Sequence, residues 1–431
     1  MIVVVGGGIT GLALGHALQS RGADFVVLEA QPRAGGVIRS ARVDGRVLDW
    51  GPQRTRLAKG ITGLVSALEL QDEVITAPEG LDLFVYRDGK LRTVPFTPRD
   101  FAVSDIVSTA GKLRMLLEPF TAGPRGNERV SDFFERKLGR EVYEALIAPL
   151  YGGLYASDPA DMEVGLSLIH VLREFGIGRS LLFPLLRRGG RISPPPACSF
   201  REGMQTLPDA LARVLGDRLR LETRARAVVR VGEGWRVELE DGAGPSALDA
   251  AAVVLTCPAP AAAELLGPVA PEAAAVIGGL RYNPLGVVHL DAETNLRGLG
   301  FQVAFTERTR PLRGVTFNDS LFGRHNLYTV YLGGALRPDV ADLPLDALAE
   351  LAAQEFRATT GFEGRPLSAQ HERVPAWDVS WRGLADVVLP TGLRVAGNWR
   401  SRPGLPGRLA EAERLASELV EGVVARRGAK A

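Results

Sequence analysis

The residues with the clearest capacity for chemistry stand at the start of the chain. Gly6, Gly8 and Gly11 in "GGGITG" form a GxGxxG triplet, Glu29 follows in "FVVLE", and Arg33, Gly35 and Gly36 follow in "PRAGG". At this spacing Gly6 permits a tight turn, Gly8 lets backbone approach a pyrophosphate, and Gly11 lets a helix pack closely on a strand, while helix N–H groups face the negative charge. Glu29 lies about 20 residues beyond the glycines, where a carboxylate accepts bonds from a ribose and disfavours a 2′-phosphate. Arg33 with the double glycine after it can bring a guanidinium and backbone amides to a second side of the pyrophosphate, which an extended cofactor requires. The chemistry expected of these residues is dinucleotide binding.

The elements that must position them are readable in the same stretch. "IVVV" (Ile2–Val5) is a continuous apolar run, as parallel strands covered on both faces show. A helix is expected from Ile9–Ser20, with Gly22 as its stop, and residues 25–29 read as the second strand. Together they form a complete βαβ unit, the context that a lone glycine motif lacks. Further on, 226–242 reads as a hairpin with a Gly-rich turn, 251–258 as another buried parallel strand, and 393–399 as a short strand. An amphipathic helix follows, preceded by Gly404 and Pro406. The fold class expected is α/β: a discontinuous, Rossmann-like binding domain joined to a mixed-sheet substrate domain and an inserted helical domain.

The stretch "GGGITGL…VVLEAQPRAGGVIRS" resembles the N-terminal signature of flavoprotein oxidases related to monoamine oxidase, phytoene desaturase and protoporphyrinogen oxidase. That resemblance implies FAD as the cofactor. It further implies that backbone around Val228 meets the adenosine end, and that Gly397, Gly404 and Leu405 approach the flavin. A helix starting after Gly404 would aim its positive end at the flavin pyrimidine and stabilise charge on the reduced ring.

Three middle segments narrow the family. Residues 128–168 have helical periodicity broken at Gly152 and Gly153, 199–216 follows, and 300–334 alternates aromatic and β-branched runs with turn residues, so it reads as strand-rich. In order and spacing they resemble oxygen-dependent protoporphyrinogen oxidases, including the coproporphyrinogen-oxidising relatives, over almost the whole chain. The resemblance implies oxidation of a porphyrinogen to a porphyrin: three hydrides pass to flavin N5, and dioxygen becomes hydrogen peroxide. A large apolar substrate with carboxylates at its rim calls for apolar walls and a few cations. Arg54 and Arg56 in "GPQRTR" are the candidate propionate anchors, with solvated loop arginines as the alternative. Leu166, Phe301 and Phe317 are candidate walls, with core packing as the alternative for each. No side chain stands out as acid or base, so positioning and the flavin would carry the rate.

Departures from the family pattern gather near the C-terminus. "VPAWDVSWRG" places Trp377 and Trp381 where relatives carry a tyrosine-containing stretch, and "GNWRSRPGLPGR" adds Arg400, Arg402 and Pro403 to the flavin approach. Two other readings therefore stand beside the first: another oxidase of the same fold acting on amines or carotenoid precursors, with Trp377 and Trp399 as an aromatic cage, and a catalytically impaired FAD-binding protein.

Bulk properties exclude several classes. The 51 Lys and Arg against 50 Asp and Glu leave a formal charge of +1 over 431 residues, so no global field recruits nucleic acid. Cys198 and Cys257 form no CxxC pair, and the five histidines, His16, His170, His289, His325 and His371, make no metal spacing. Neither a dithiol flavin reductase nor a metal site is expected. Met1 leads directly into an apolar strand, and no apolar run reaches the length of a membrane span, so the expected location is cytoplasmic. Residues 177–191 join an apolar stretch to Arg187, Arg188 and Arg191, which suggests peripheral membrane contact, with a buried helix as the alternative. The expected domains are 1–90, 192–265 and 385–431 for FAD, 91–191 helical, and 266–384 for substrate, with the proline-rich 191–200 as the clearest connector.

Overall fold

The structure, a computed structural model, describes residues 1–174, 176–183, 195–401 and 403–428. Internal contacts divide the chain into two compact units: Met1–Thr76, Pro195–Leu280 and Gly383–Ala431 form the first, and Ala77–Pro194 with Arg281–Arg382 form the second. Helical and sheet-based segments that the sequence reading kept apart thus share one unit. Their strand pairing gives the reason: the hairpin Leu83–Arg87 and Lys90–Thr93, expected with the FAD segment, joins the sheet of the second unit.

The first unit is built on a five-stranded parallel sheet in the order Leu219–Arg220, Phe25–Leu28, Ile2–Val5, Ala252–Leu255, Leu393–Val395. Strands from three separate chain segments meet here, which is what a discontinuous binding domain requires. IVVV, FVVL and AVVL are buried at every position, as strands covered on both faces must be. The helix Ile9–Ser20 packs against the helices Thr206–Leu215 and Leu405–Gly428 and shares one apolar core with the sheet. Arg224–Val231, Gly234–Asp241 and Gly244–Ala250 make a separate antiparallel sheet, with Arg224–Val231 as an outer strand.

The second unit carries a seven-stranded mixed sheet in the order Arg365–Pro375, Tyr282–Asp291, Leu327–Gly333, Leu312–Phe317, Gly300–Val303, Leu83–Arg87, Lys90–Thr93. The helix Leu345–Thr360 lays Leu348, Ala352 and Phe356 on it, and these join an aromatic cluster of Tyr86, Phe301, Phe317 and Tyr328. The inserted helices form a second core around Phe133, Val142, Ala145, Met162 and Leu168. The break expected at Gly152 and Gly153 is absent, because both lie inside the helix Ala148–Tyr155. Their role is packing: a Cβ on Gly153 would come within 2.5 Å of the Gln302 side-chain oxygen, and one on Gly152 within 2.8 Å of the Ser157 carbonyl. The chain turns just afterwards, at Ala156, which is left-handed with φ 51°. Single π-helical turns, Tyr143–Ile147 and Val164–Leu168, stand before and after this helix.

Candidate cofactor site

The glycine triplet lies at the carboxyl end of the first strand and leads into the helix Ile9–Ser20. Gly11 has no alternative: a Cβ there would fall 1.9 Å from the Gly6 carbonyl oxygen. Gly8 is the opposite case, since a Cβ there would have only the Gly36 Cα near it, at 4.0 Å. Its bareness does not serve the fold, and what it leaves open is room for another molecule to approach the backbone. The helix it caps has no side-chain cap and no acid in its first turn, so its N-terminal dipole is unneutralised.

Gly35 and Gly36 close the second side. The Gly35 N–H donates to the Gly7 carbonyl at 2.8 Å, and Gly8 and Gly35 form an isolated parallel bridge. Glu29, 8% exposed, ends the second strand with its carboxylate turned to this point: Oε2 accepts from the Gly7 N–H at 2.7 Å and Oε1 from the Gln31 N–H at 2.8 Å. A carboxylate oxygen accepts more than one bond, so these two contacts fix its orientation while leaving lone pairs for a ribose.

Arg33 also has a part in the fold. Its guanidinium donates to the carbonyls of Gly36 at 2.8 Å and Ile38 at 2.9 Å, so it holds the double-glycine turn from within. A guanidinium carries five N–H donors, so these bonds are compatible with the expected contact to a pyrophosphate. Two residues the sequence reading missed complete this scaffold. The Thr256 hydroxyl contacts the carbonyl oxygens of Val5 at 3.0 Å and Gly6 at 2.8 Å, tying the glycine turn to the next strand. Gln205 donates through Nε2 to the Ala34 carbonyl at 3.1 Å. No local pattern marks either one, since each acts on a segment far away in sequence.

The C-terminal segment forms a compact turn. Arg400 N–H donates to the Gly397 carbonyl at 3.0 Å, and the buried Trp399 ring fills the space where a Gly397 Cβ would lie, 2.1 Å from its Nε1. Trp399 in turn donates to the Cys257 carbonyl at 3.1 Å. Of the bulky residues noted as departures, Arg400 donates to the Leu384 carbonyl at 2.7 Å, and Arg402 lies outside the described residues. Gly404, with φ 85°, makes the turn that starts the helix Leu405–Gly428, whose first residue, Leu405, is buried. Val228 is wholly buried on the outer strand Arg224–Val231, just after an irregularity between Ala225 and Ala227.

The other expected site residues separate. Arg56 is exposed and donates to the Pro195 carbonyl at 3.1 Å, and Arg54, next but one along the same stretch, is half-buried. Gln53 and Thr55, beside and between them, are each 6% exposed, and neither the Gln53 amide nor the Thr55 hydroxyl has a hydrogen-bond partner among the described residues. Leu166 lies half-buried in the π turn Val164–Leu168. Phe301 and Phe317 take the core-packing alternative: both are fully buried in the aromatic cluster, rings 6.1 Å apart. Burial pushes the Cys257 thiol up to about 12 and the Cys198 thiol up to about 11, so neither is a thiolate at neutral pH.

These residues fit FAD. The open face of Gly8, an uncapped helix N-terminus, an oriented acid for ribose and orphaned buried polar atoms at Gln53 and Thr55 are four separate features that a bound dinucleotide would satisfy. Comparison with known proteins agrees. The sequence pattern described as "Flavin containing amine oxidoreductase" matches residues 9–405. The chloroplastic protoporphyrinogen oxidase of Nicotiana tabacum is 28% identical over 393 residues, spanning 82% of this chain and 71% of that one. Protoporphyrinogen oxidase 2 of Arabidopsis thaliana is 27% identical over 457 residues, spanning 93% and 89%. Among solved structures, a protein assigned as a protoporphyrinogen oxidase from Exiguobacterium sp. 255-15 shares the fold with a TM-score of 0.78 at 23% identity, covering 97% of this chain and 98% of that one. Wild-type putrescine oxidase bound to putrescine shares it at 0.67 and 17% identity, covering 97% and 98%.

Proposed function

The chain belongs to the flavin containing amine oxidoreductases and takes FAD, and from that premise we propose that it oxidises a porphyrinogen, protoporphyrinogen IX or coproporphyrinogen III, to the porphyrin. The observation that carries this reading is an intact dinucleotide cradle in a chain similar over four-fifths of its length to protoporphyrinogen oxidases. Bound FAD supplies a two-electron acceptor that dioxygen reoxidises, so six electrons leave in three turns and three dioxygen molecules become three hydrogen peroxide.

The chain's own part is to bind, orient and exclude. Gly8, Gly35 and Gly36 would hold the pyrophosphate and Glu29 the ribose, while the N-terminus of Leu405–Gly428 would supply positive potential to a reduced ring bound beside it. The turn 397–401 keeps its bulky side chains on protein carbonyls, which supports a working flavin site over an impaired one. Trp399 is enclosed with its N–H committed to Cys257, and Trp377 stacks on Trp381 with ring centres 5.5 Å apart. Both rings are engaged elsewhere, which weighs against the amine-oxidising cage.

Peripheral membrane contact belongs to the same reading. Arg187, Arg188 and Arg191 lie outside the described residues, but a neighbouring surface supports the idea independently. Val103, Leu113, Leu116, Leu117 and Phe120 are all more than half exposed. From 103 to 127 the carboxylates are Asp105, exposed but paired with Arg92, and Glu118, fully buried against Lys137, while Lys112, Arg114 and Arg125 supply positive charge. An apolar ridge edged by cations suits an anionic lipid surface. Among the described residues no helix is long and apolar enough to cross a membrane.

The decisive experiment is an anaerobic mix of purified, flavin-loaded protein with each porphyrinogen in turn. Bleaching of the flavin band, then porphyrin fluorescence when oxygen is admitted, is the expected result, and the faster substrate identifies the physiological one. A flavin that neither porphyrinogen bleaches would overturn the reading.

A further inference from the structure

Gln53 and Thr55 carry three polar atoms that no described residue satisfies, the amide oxygen and nitrogen of Gln53 and the hydroxyl of Thr55. Both side chains are 6% exposed, so bulk solvent does not reach them. A buried, unpaired polar group destabilises the fold that holds it, and leucine or valine would fill the same space without that cost. Spaced two apart in an extended stretch, the two side chains share one face, and Arg54 and Arg56 take the other.

The location of that face is informative. At its start, Gly51 lies against the loop after the double glycine, where a Cβ would come within 2.3 Å of the Val37 carbonyl. At its end, Thr55–Arg56 pairs with the strand Ala197–Phe200 and packs on the helix Leu405–Gly428. The stretch therefore runs from the pyrophosphate cradle to the helix expected at the flavin pyrimidine. All of these parts belong to the first unit.

We propose that the Gln53 amide and the Thr55 hydroxyl are reserved for the polar edge of the isoalloxazine ring, and that the donor of Gln53 tunes its reduction potential. The ring edge alternates acceptors and a donor, and a primary amide and a hydroxyl each offer both. A donor aimed at atoms that gain electron density on reduction stabilises the reduced form more than the oxidised one. This rests on FAD binding and holds whichever substrate the enzyme takes.

The test uses Gln53→Leu and Thr55→Val, which keep volume and remove the polar atoms. With FAD bound, the expected result is a displaced visible flavin band, a more negative reduction potential for Gln53→Leu, and FAD affinity lowered about tenfold. The same full-length chain stripped of FAD is expected to melt at the same temperature as the parent or higher, because an orphaned group has been removed. Gln53→Asn, which restores the amide on a shorter stem, is expected to recover part of the potential. Lower stability of the stripped variants with unchanged affinity and spectrum would make these residues structural and overturn the proposal. Weaker affinity with an unchanged band and potential would place the contact on another part of FAD and also overturn it. Because these readouts need no substrate, they stand or fall apart from porphyrinogen oxidation.

Discussion

Gly8 and Gly11 are three positions apart and differ in what a side chain would meet. At Gly11 the Gly6 carbonyl would be 1.9 Å away, whereas at Gly8 the nearest atom would be 4.0 Å away. Gly11 is therefore required by the fold and Gly8 by the ligand. Gly8→Val should leave the FAD-free chain folded, at a cost of about 1 kcal/mol or less at a helix cap, yet lower FAD affinity at least about tenfold. Gly11→Val should fail to yield folded protein. Calorimetric titration of FAD alongside thermal melts separates the two, and equal loss of stability in both would refute the distinction. The same scale shows a part that residue type does not announce: Arg33 suits a phosphate by charge, and its guanidinium also bonds carbonyls of the turn it belongs to.

At the scale of elements, the inserted helices depend on one buried ion pair. Glu118 is fully buried and Lys137 is 1% exposed, with Nζ and Oε1 2.6 Å apart. Glu118 also accepts from the Ser180 hydroxyl at 2.6 Å and the Leu181 N–H at 2.9 Å, and so pins 180–181 to this core. Burial by itself would raise the Glu118 carboxyl, but the Lys137 ammonium, the Ser180 hydroxyl and the Leu181 amide outweigh it and hold the group below the usual carboxylate range. Its folded value is depressed, so the stabilisation is complete above the ordinary value of about 4.5 and disappears as pH falls through the folded value. Lys137→Met would leave the carboxylate buried and unpaired, and should destabilise by about 3–5 kcal/mol near neutral pH. Glu118→Leu combined with Lys137→Met should recover most of that loss. Melting curves across pH 3–7, as an approximate window, would refute the assignment if the single variant matched the parent throughout. The pair presents the ridge as well as holding the core, because a buried Glu118 leaves Leu117 and Phe120 on either side facing outward.

For the whole molecule, a net charge of +1 means that any surface recognition must be local. The ridge of 103–120 is the clearest local feature, and it predicts flotation with vesicles containing phosphatidylserine, weakened by added salt and absent with purely zwitterionic vesicles. Leu116→Glu combined with Phe120→Glu should abolish flotation while leaving the melting temperature and flavin spectrum unchanged. Protein that stays in the soluble fraction with both vesicle types would end this reading and leave the ridge to a protein partner. Segment order adds a constraint at the same scale: the first unit needs strands from near residues 2, 252 and 393, so truncation at either end removes part of the parallel sheet.

The sequence by itself determined the βαβ unit, its glycines and Glu29, and hence the class of cofactor, because those features act within about 30 residues of chain. It also showed the buried parallel strands as uninterrupted apolar runs. Only the tertiary structure decided which polar side chains are left without partners. Gln53 and Thr55 look like ordinary loop residues beside two arginines, and their burial depends on strands and helices more than 100 residues away. The same holds for Gly153, whose need for glycine comes from Gln302, and for Phe301 and Phe317, whose rings belong to the core beneath the helix Leu345–Thr360. Periodicity reports which face of an element is apolar. Whether that face meets the core or an open site depends on what packs against it, and that is settled by long-range contacts.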